Sequence, residues 1–222
     1  FITFRGEKGS ASRGVGRSIS WYVDHFEPDA LRYAVAINFP ETNDTDISDE
    51  GMIRRVNDEL VATWGNLVNR VVAMTGRYFD GEVQEAVEAD DEDRALLASV
   101  DATLDEVGQL ISEVKLRAGL QRAMAGAQAV NAYLNDREPW KTAKTDRART
   151  GTTLSIANEA IAGIAVALYP YLPFTTVRLL EACSVEMGEH GPPWGRPSIP
   201  AGTQLSEVGP LYTKMEPFAE DE

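Results

Sequence analysis

Cysteine is almost missing from this chain: Cys183 is the only one in 222 residues, which excludes an internal disulfide and any multi-cysteine zinc site. Cys183 lies in the apolar run Leu179-Leu180-Glu181-Ala182-Cys183, where a buried, inert thiol is expected. Histidine is nearly as scarce. His25 and His190 lie more than a hundred residues apart and neither has a ligand-spaced companion, so no metal site is predicted. No run of about 18 apolar residues occurs, and no membrane span or membrane partner is expected. The start, Phe1-Ile2-Thr3-Phe4-Arg5-Gly6-Glu7-Lys8, lacks both the apolar stretch of a signal peptide and an initiator methionine, which predicts a piece of a longer chain.

Positive charge is also in short supply. The chain carries 21 Lys and Arg against 35 Asp and Glu, a net charge of −14. That balance argues against nucleic acid, because phosphate binding relies on a basic surface. Its distribution is uneven, however. From Glu82 to Glu113 the charges are almost all acidic, with Asp90-Asp91-Glu92-Asp93 in a row. Arg54, Arg55, Arg70, Arg77, Arg137, Lys141, Lys144, Arg147 and Arg149 fall elsewhere, so an acidic outer helix and a basic inner rim are expected to coexist. A hydrophobic fraction of 43% with 25% charged residues places the chain among globular proteins.

What is present is mostly helical pattern. Leu60, Trp64, Leu67, Val68 and Val71 recur at three- and four-residue steps and are predicted to face a core. Asn66 and Arg70, four apart, stack on the same helix face. They offer an amide beside a planar guanidinium, a pair suited to a nucleobase edge, although an isolated pair of this kind is more often an ordinary solvated face. Ser48 followed by Asp49 and Glu50 reads as an N-cap for a helix running to about Gly76. Further helices are expected over 18–26, 29–38 (with Leu31, Val35 and Ile37 inward), 91–117 (with Leu97, Val100, Leu104, Val107, Ile111 and Val114 inward), 119–135, 150–168 and 174–183. The 150–168 segment is apolar almost all round and belongs at the centre of a bundle. Glycines at 6, 9, 14 and 16 predict a loop over 1–17. Trp140, next to Pro139, is either core or a platform for a stacked base. Beyond Glu186, glycines and prolines exclude regular structure, with Trp194, Leu205, Leu211 and Tyr212 available to pin the tail down. The residues 220–222 are expected to fray.

Trp64-Gly65-Asn66-Leu67-Val68-Asn69-Arg70, following Arg54-Arg55-Val56-Asn57-Asp58-Glu59-Leu60, resembles the anticodon-reading helix of bacterial and archaeal methionyl-tRNA synthetases. Asp29-Ala30-Leu31-Arg32-Tyr33, Pro40-Glu41-Thr42 and Asp44-Thr45-Asp46-Ile47-Ser48 resemble the family's segment joining its catalytic and anticodon-binding halves. Asn131-Ala132-Tyr133 and Glu138-Pro139-Trp140-Lys141 resemble its second anticodon-contacting element. The resemblance implies a mainly α fold: a helical anticodon-binding bundle (48–186) preceded by a catalytic-loop remnant and small α/β stem-contact segment (1–47), and followed by an irregular tail packing back on the body (187–222). The catalytic Rossmann half, with its His-Ile-Gly-His signature, is not in this chain.

By the same resemblance, Asn66, Arg70 and Trp140 bind the anticodon, while Arg54, Arg55 and Lys141 contact tRNA phosphates. Lys8, Ser10 and Ser12 align with the Lys-Met-Ser-Lys-Ser loop that steadies ATP phosphates. Gly9 and Ala11 replace that loop's methionine and second lysine, so one charge that stabilises the leaving pyrophosphate is out of its usual place. The implied function is the C-terminal portion of a cytoplasmic methionine-tRNA ligase recognising the CAU anticodon. Its partners would be tRNA(Met) and the catalytic half of the same enzyme. No cofactor is expected on this portion; ATP and Mg belong to the full enzyme, and zinc only to the missing half. Two other readings compete: a non-catalytic tRNA-binding paralogue, and an acidic helical interaction module.

Overall fold

The computed structural model describes residues 1–8 and 16–218. Gly9, Ser10, Ala11, Ser12 and the residues after Phe218 therefore lie outside the described residues. Strand β1 (Ile2–Phe4) turns directly into β2 (Glu7–Lys8), with Arg5 at φ 50° and Gly6 at φ 81°. Two successive positive φ values make the tight turn whose twist matches paired strands. The expected loop is thus a short hairpin in its first half. β3 (Thr45–Ile47) then pairs parallel to β1. Helices α1 (Ile19–His25) and α2 (Pro28–Ala36) fill the connection, the latter with Pro28 in its first turn. α2 buries Ala30, Tyr33 and Ala34 together with Ile37 just beyond it, whereas Val35 is exposed.

A long helical rod follows. α3 (Asp49–Arg55) begins at Ser48, whose Oγ accepts from the Gly51 N–H at 3.1 Å. It runs without a break through a π-helical segment, 56–65, into α4 (Asn66–Phe79). The predicted regular helix therefore has a wide middle, visible where the Asn66 N–H reaches back five residues to the Val61 carbonyl. Leu60, Trp64, Leu67, Val68 and Val71 are all buried to within 2%, as their spacing predicts.

The bundle is completed by α5 (Asp91–Ser112), α6 (Leu116–Arg137), the single turn α7 (Pro139–Thr142), α8 (Arg147–Leu168) and α9 (Pro173–Ala182). α5 stops short of the predicted 117 because Val114 adopts φ 60°, and its side chain is 75% exposed, not inward. α8 is long and apolar enough to cross a membrane, but 94% of that stretch is buried among the other helices. Small residues bring these helices close. A Cβ on Gly126 would lie 2.6 Å from Ile164 Cδ1, and one on Gly163 would lie 2.5 Å from Val100 Cγ1.

The acidic run at the start of α5 is not simply an outer face. Asp93 is fully buried, accepts from Arg149 Nη1 and Nη2 at 2.8 and 2.6 Å and from the Tyr133 hydroxyl at 2.7 Å, and caps the Asp90 N–H. Arg137 joins the cluster, 3.0 Å from Glu92 and 3.3 Å from Asp93. Arg137 and Arg149 consequently leave the basic rim assigned to them, since a buried carboxylate needs paired cations and hydrogen bonds. Desolvation is the largest single influence on Asp93 and would raise its pKa. The hydrogen bonds from Arg149, Tyr133 and the Asp90 backbone together outweigh it and hold the carboxyl at about 2.

The tail after α9 is irregular but anchored. Leu205, Leu211 and Tyr212 are buried, while Trp194 stays 47% exposed beside Gly108. Arg196 bridges Asp101 at 2.9 Å and Glu159 at 2.5 Å, and Asn57 exchanges hydrogen bonds of 2.8 and 2.9 Å with the Met215 backbone. Cys183 is buried, and desolvation pushes its thiol up to about 12.

Candidate nucleic-acid interface

The π-helical segment ends where the candidate pair begins. Asn66 is the first residue of α4 and is exposed; Arg70, one turn on, is half-buried. The Arg70 guanidinium is held from three sides. Nη2 donates to Asn135 Oδ1 at 3.1 Å, Nη1 to Asn131 Oδ1 at 3.4 Å, and Cζ lies 5.5 Å from the centre of the Trp140 ring. Asn131 is itself oriented by a 3.4 Å bond from its Nδ2 to the Thr63 carbonyl, in the last turn of the π-helical segment. None of these partners is charged, so none of them offsets the guanidinium.

Trp140 reaches this position because α6 ends sharply. Glu138 adopts a left-handed conformation (φ 45°, ψ 55°), and Pro139 starts α7 immediately. The indole follows the corner and comes to rest half-buried over Arg70. A half-buried ring over a guanidinium has one face supplied by a cation–π contact and part of its surface left for a ligand.

The structure thus brings together Asn66, Arg70, Trp140 and, beside them in α7, Lys141, whose Nζ sits 2.6 Å from Glu138 on the exposed surface. It does not bring in the others. Arg54 is exposed but sixteen residues up the rod from Arg70, on the order of 20 Å along a rod whose middle is π-helical. Arg55 is tied to Glu59 at 2.9 Å, and Glu59 also accepts from Tyr33, which links this arginine to the packing of α2 on the rod. Lys8 is exposed in β2, with its Nζ 6.0 Å from the Phe1 ring, at the α/β end of the molecule; Ser10 and Ser12 lie outside the described residues. Asn135 is the residue missed from sequence. Its signal was present, since Asn131 and Asn135 are one turn apart on α6 and face the same way.

Residues 83–216 match the family described as the anticodon binding domain of methionyl tRNA ligase, and residues 1–72 match the class I tRNA synthetases (M). The chain belongs to the methionyl-tRNA ligase anticodon-binding family. It is 43% identical over 181 residues, 82% of its length, to a methionine-tRNA ligase of Roseiflexus castenholzii, and 37% identical over 97% of its length to one of Bacteroides fragilis. It spans only 30% and 32% of those two relatives. Among solved structures it resembles Mycobacterium tuberculosis methionyl-tRNA synthetase in complex with methionyl-adenylate, with a TM-score of 0.83 at 25% identity, covering 95% of this chain and 42% of that one. This membership disfavours the acidic interaction module.

Proposed function

We propose that the chain reads the anticodon of tRNA(Met) on behalf of a methionine-tRNA ligase, the complete enzyme carrying out ATP-dependent aminoacylation in the cytoplasm. The observation that carries the reading is an arginine braced by two asparagines and an indole, with no carboxylate partner among the described residues. Bracing lowers the conformational cost of binding, and the uncompensated charge favours carbonyl and ring-nitrogen acceptors such as those on cytosine. Asn66, with a donor and an acceptor, completes the edge contact. Trp140 stacks on an unpaired base, and Lys141 lies close enough to neutralise a phosphate of the same loop.

Arg54 and Arg55 lie toward the α/β end and are better placed for a more distant part of the tRNA than for the anticodon. Lys8 is the described member of the loop that would steady ATP phosphates. By the family resemblance, the Mg that accompanies ATP, and any zinc, belong to the catalytic half. Arg70→Glu in the full-length enzyme tests the reading. Binding of tRNA(Met) is expected to fall about 100-fold, as for loss of a bidentate base contact plus charge repulsion. Unchanged aminoacylation by that variant would overturn the assignment.

A further inference from the structure

Trp140 sits on a helix of a single turn, so whatever holds that turn decides where the indole points. α7 has four residues, too few to be stable as a helix by itself. It is entered through Glu138, a residue with a side chain in the left-handed region, a conformation kept only where neighbouring structure imposes it. The turn therefore depends on what grips the chain on either side.

Both grips end on one carboxylate. On the entry side Arg137, the last residue of α6, directs Nη2 to Asp90, to Glu92 at 3.0 Å and to Asp93 at 3.3 Å. On the exit side Arg149, in the first turn of α8, donates to Asp93 from Nη1 and Nη2 at 2.8 and 2.6 Å. Asp93 is itself anchored, because it and Asp90 cap the start of α5 reciprocally. The chain between the two arginines is thus closed across a fixed point, and inside it Thr142 Oγ1 meets Thr150 Oγ1 at 2.7 Å. Arg137 is the separable half of this clasp, since Asp93 keeps Arg149 and the Tyr133 hydroxyl without it. Its three carboxylate contacts all run through Nη2, while its Nε is buried without a hydrogen bond. One cationic nitrogen makes the grip, so a lysine can replace it and a glutamine cannot.

We propose that Arg137 is a positioning residue for RNA binding: held by the acids of α5, it fixes the corner between α6 and α7 and so presents Trp140 to the unpaired base without touching the RNA. The proposal rests on the anticodon reading above. Its test titrates an anticodon stem-loop RNA onto the full-length protein and its Arg137→Gln, Arg137→Lys and Trp140→Ala variants, and onto the Arg137→Gln, Trp140→Ala double variant, at two salt concentrations. Arg137→Gln should bind about tenfold more weakly, the scale of one stacked base, and Arg137→Lys should recover near-native affinity. In the double variant Arg137→Gln should add nothing to the loss from Trp140→Ala, because both act through the same ring. The slope of log affinity against log salt should not change in Arg137→Gln, whereas loss of a direct phosphate contact would reduce it by about 1.

Native affinity of Arg137→Gln, losses that multiply in the double variant, or a reduced salt slope would overturn the assignment. Two levels are separable. If Arg70→Glu and Trp140→Ala both bind normally, the anticodon reading itself fails; a loss in those two beside a silent Arg137→Gln removes the clasp alone. Should Arg137→Gln lower the melting temperature, amide hydrogen exchange decides without RNA. The Lys141 and Thr142 N–H groups, bonded to the Glu138 carbonyl at 2.8 and 3.2 Å, should exchange faster in the variant while amides in the middle of α8 keep their protection. Equal acceleration in both places would mean a general loss of stability and count against the proposal.

Discussion

Two clusters in this molecule use the same parts to opposite ends. At one, Arg149 and Arg137 meet Tyr133 around the fully buried Asp93. At the other, Arg70 meets Trp140, Asn131 and Asn135. Both draw on α6 and both set arginine beside an aromatic ring. What differs is the acceptor: a carboxylate in the first, amide oxygens in the second. A carboxylate cancels the guanidinium and closes the cluster into the core, whereas amides orient the guanidinium and leave its charge for a ligand. A basic residue's place in sequence therefore says less about its role than the charge of what it touches.

The largest effect should come from breaking the closed cluster. Asp93→Ala leaves two half-buried arginines without their shared carboxylate and is expected to cost about 3–5 kcal/mol, read as a fall in the denaturant midpoint. Acid should act the same way without mutation. The folded carboxyl titrates at about 2 against an ordinary 3.8, so its contribution is complete above about pH 4 and is lost as pH falls toward 2. Unfolding free energies measured from pH 6 downward should decline through that window, and Asp93→Asn should flatten part of the decline. An Asp93→Ala protein as stable as the native one would remove the contrast between the two clusters.

The open cluster should behave in the reverse manner, weak in stability and strong in binding. Trp140→Ala is expected to weaken the anticodon stem-loop by about 1–3 kcal/mol while shifting the melting temperature little, because the ring is only half-buried. Isothermal titration and thermal melting of the same variant decide it. A large stability loss with unchanged affinity would make Trp140 a core residue.

The helices were legible because periodicity reports burial: Leu60, Trp64 and Leu67 in the rod, and nearly every residue of α8, are inward as their spacing implies. Interruptions were not: the left-handed Val114 that ends α5 carries no glycine or proline signal, and the π-helical middle of the rod has only Gly65, at its last position. The Arg70 and Trp140 pairing came from family resemblance and depends on contact across 70 residues of chain, which no local pattern encodes. The roles of Arg137 and Arg149 were misplaced for one reason. Sequence displays charges but not which carboxylate turns inward, and Asp93 in a run of four acids looks no different from its exposed neighbour Asp91.

Lys141 sits between the two cases and gives the smallest effect. It has a carboxylate partner, Glu138 at 2.6 Å, yet its side chain is 67% exposed. An ion pair in that setting is worth little and is screened by salt, so an RNA phosphate can displace Glu138 at low cost. Lys141→Ala should therefore leave stability unchanged, weaken all tRNAs alike, and reduce the slope of log affinity against log salt by about 1. Glu138→Gln should leave that slope in place and tighten binding slightly by removing the competitor. If Lys141→Ala instead discriminates among anticodons, this lysine belongs with Arg70 in reading the base, and the division between braced and screened cations would have to be redrawn.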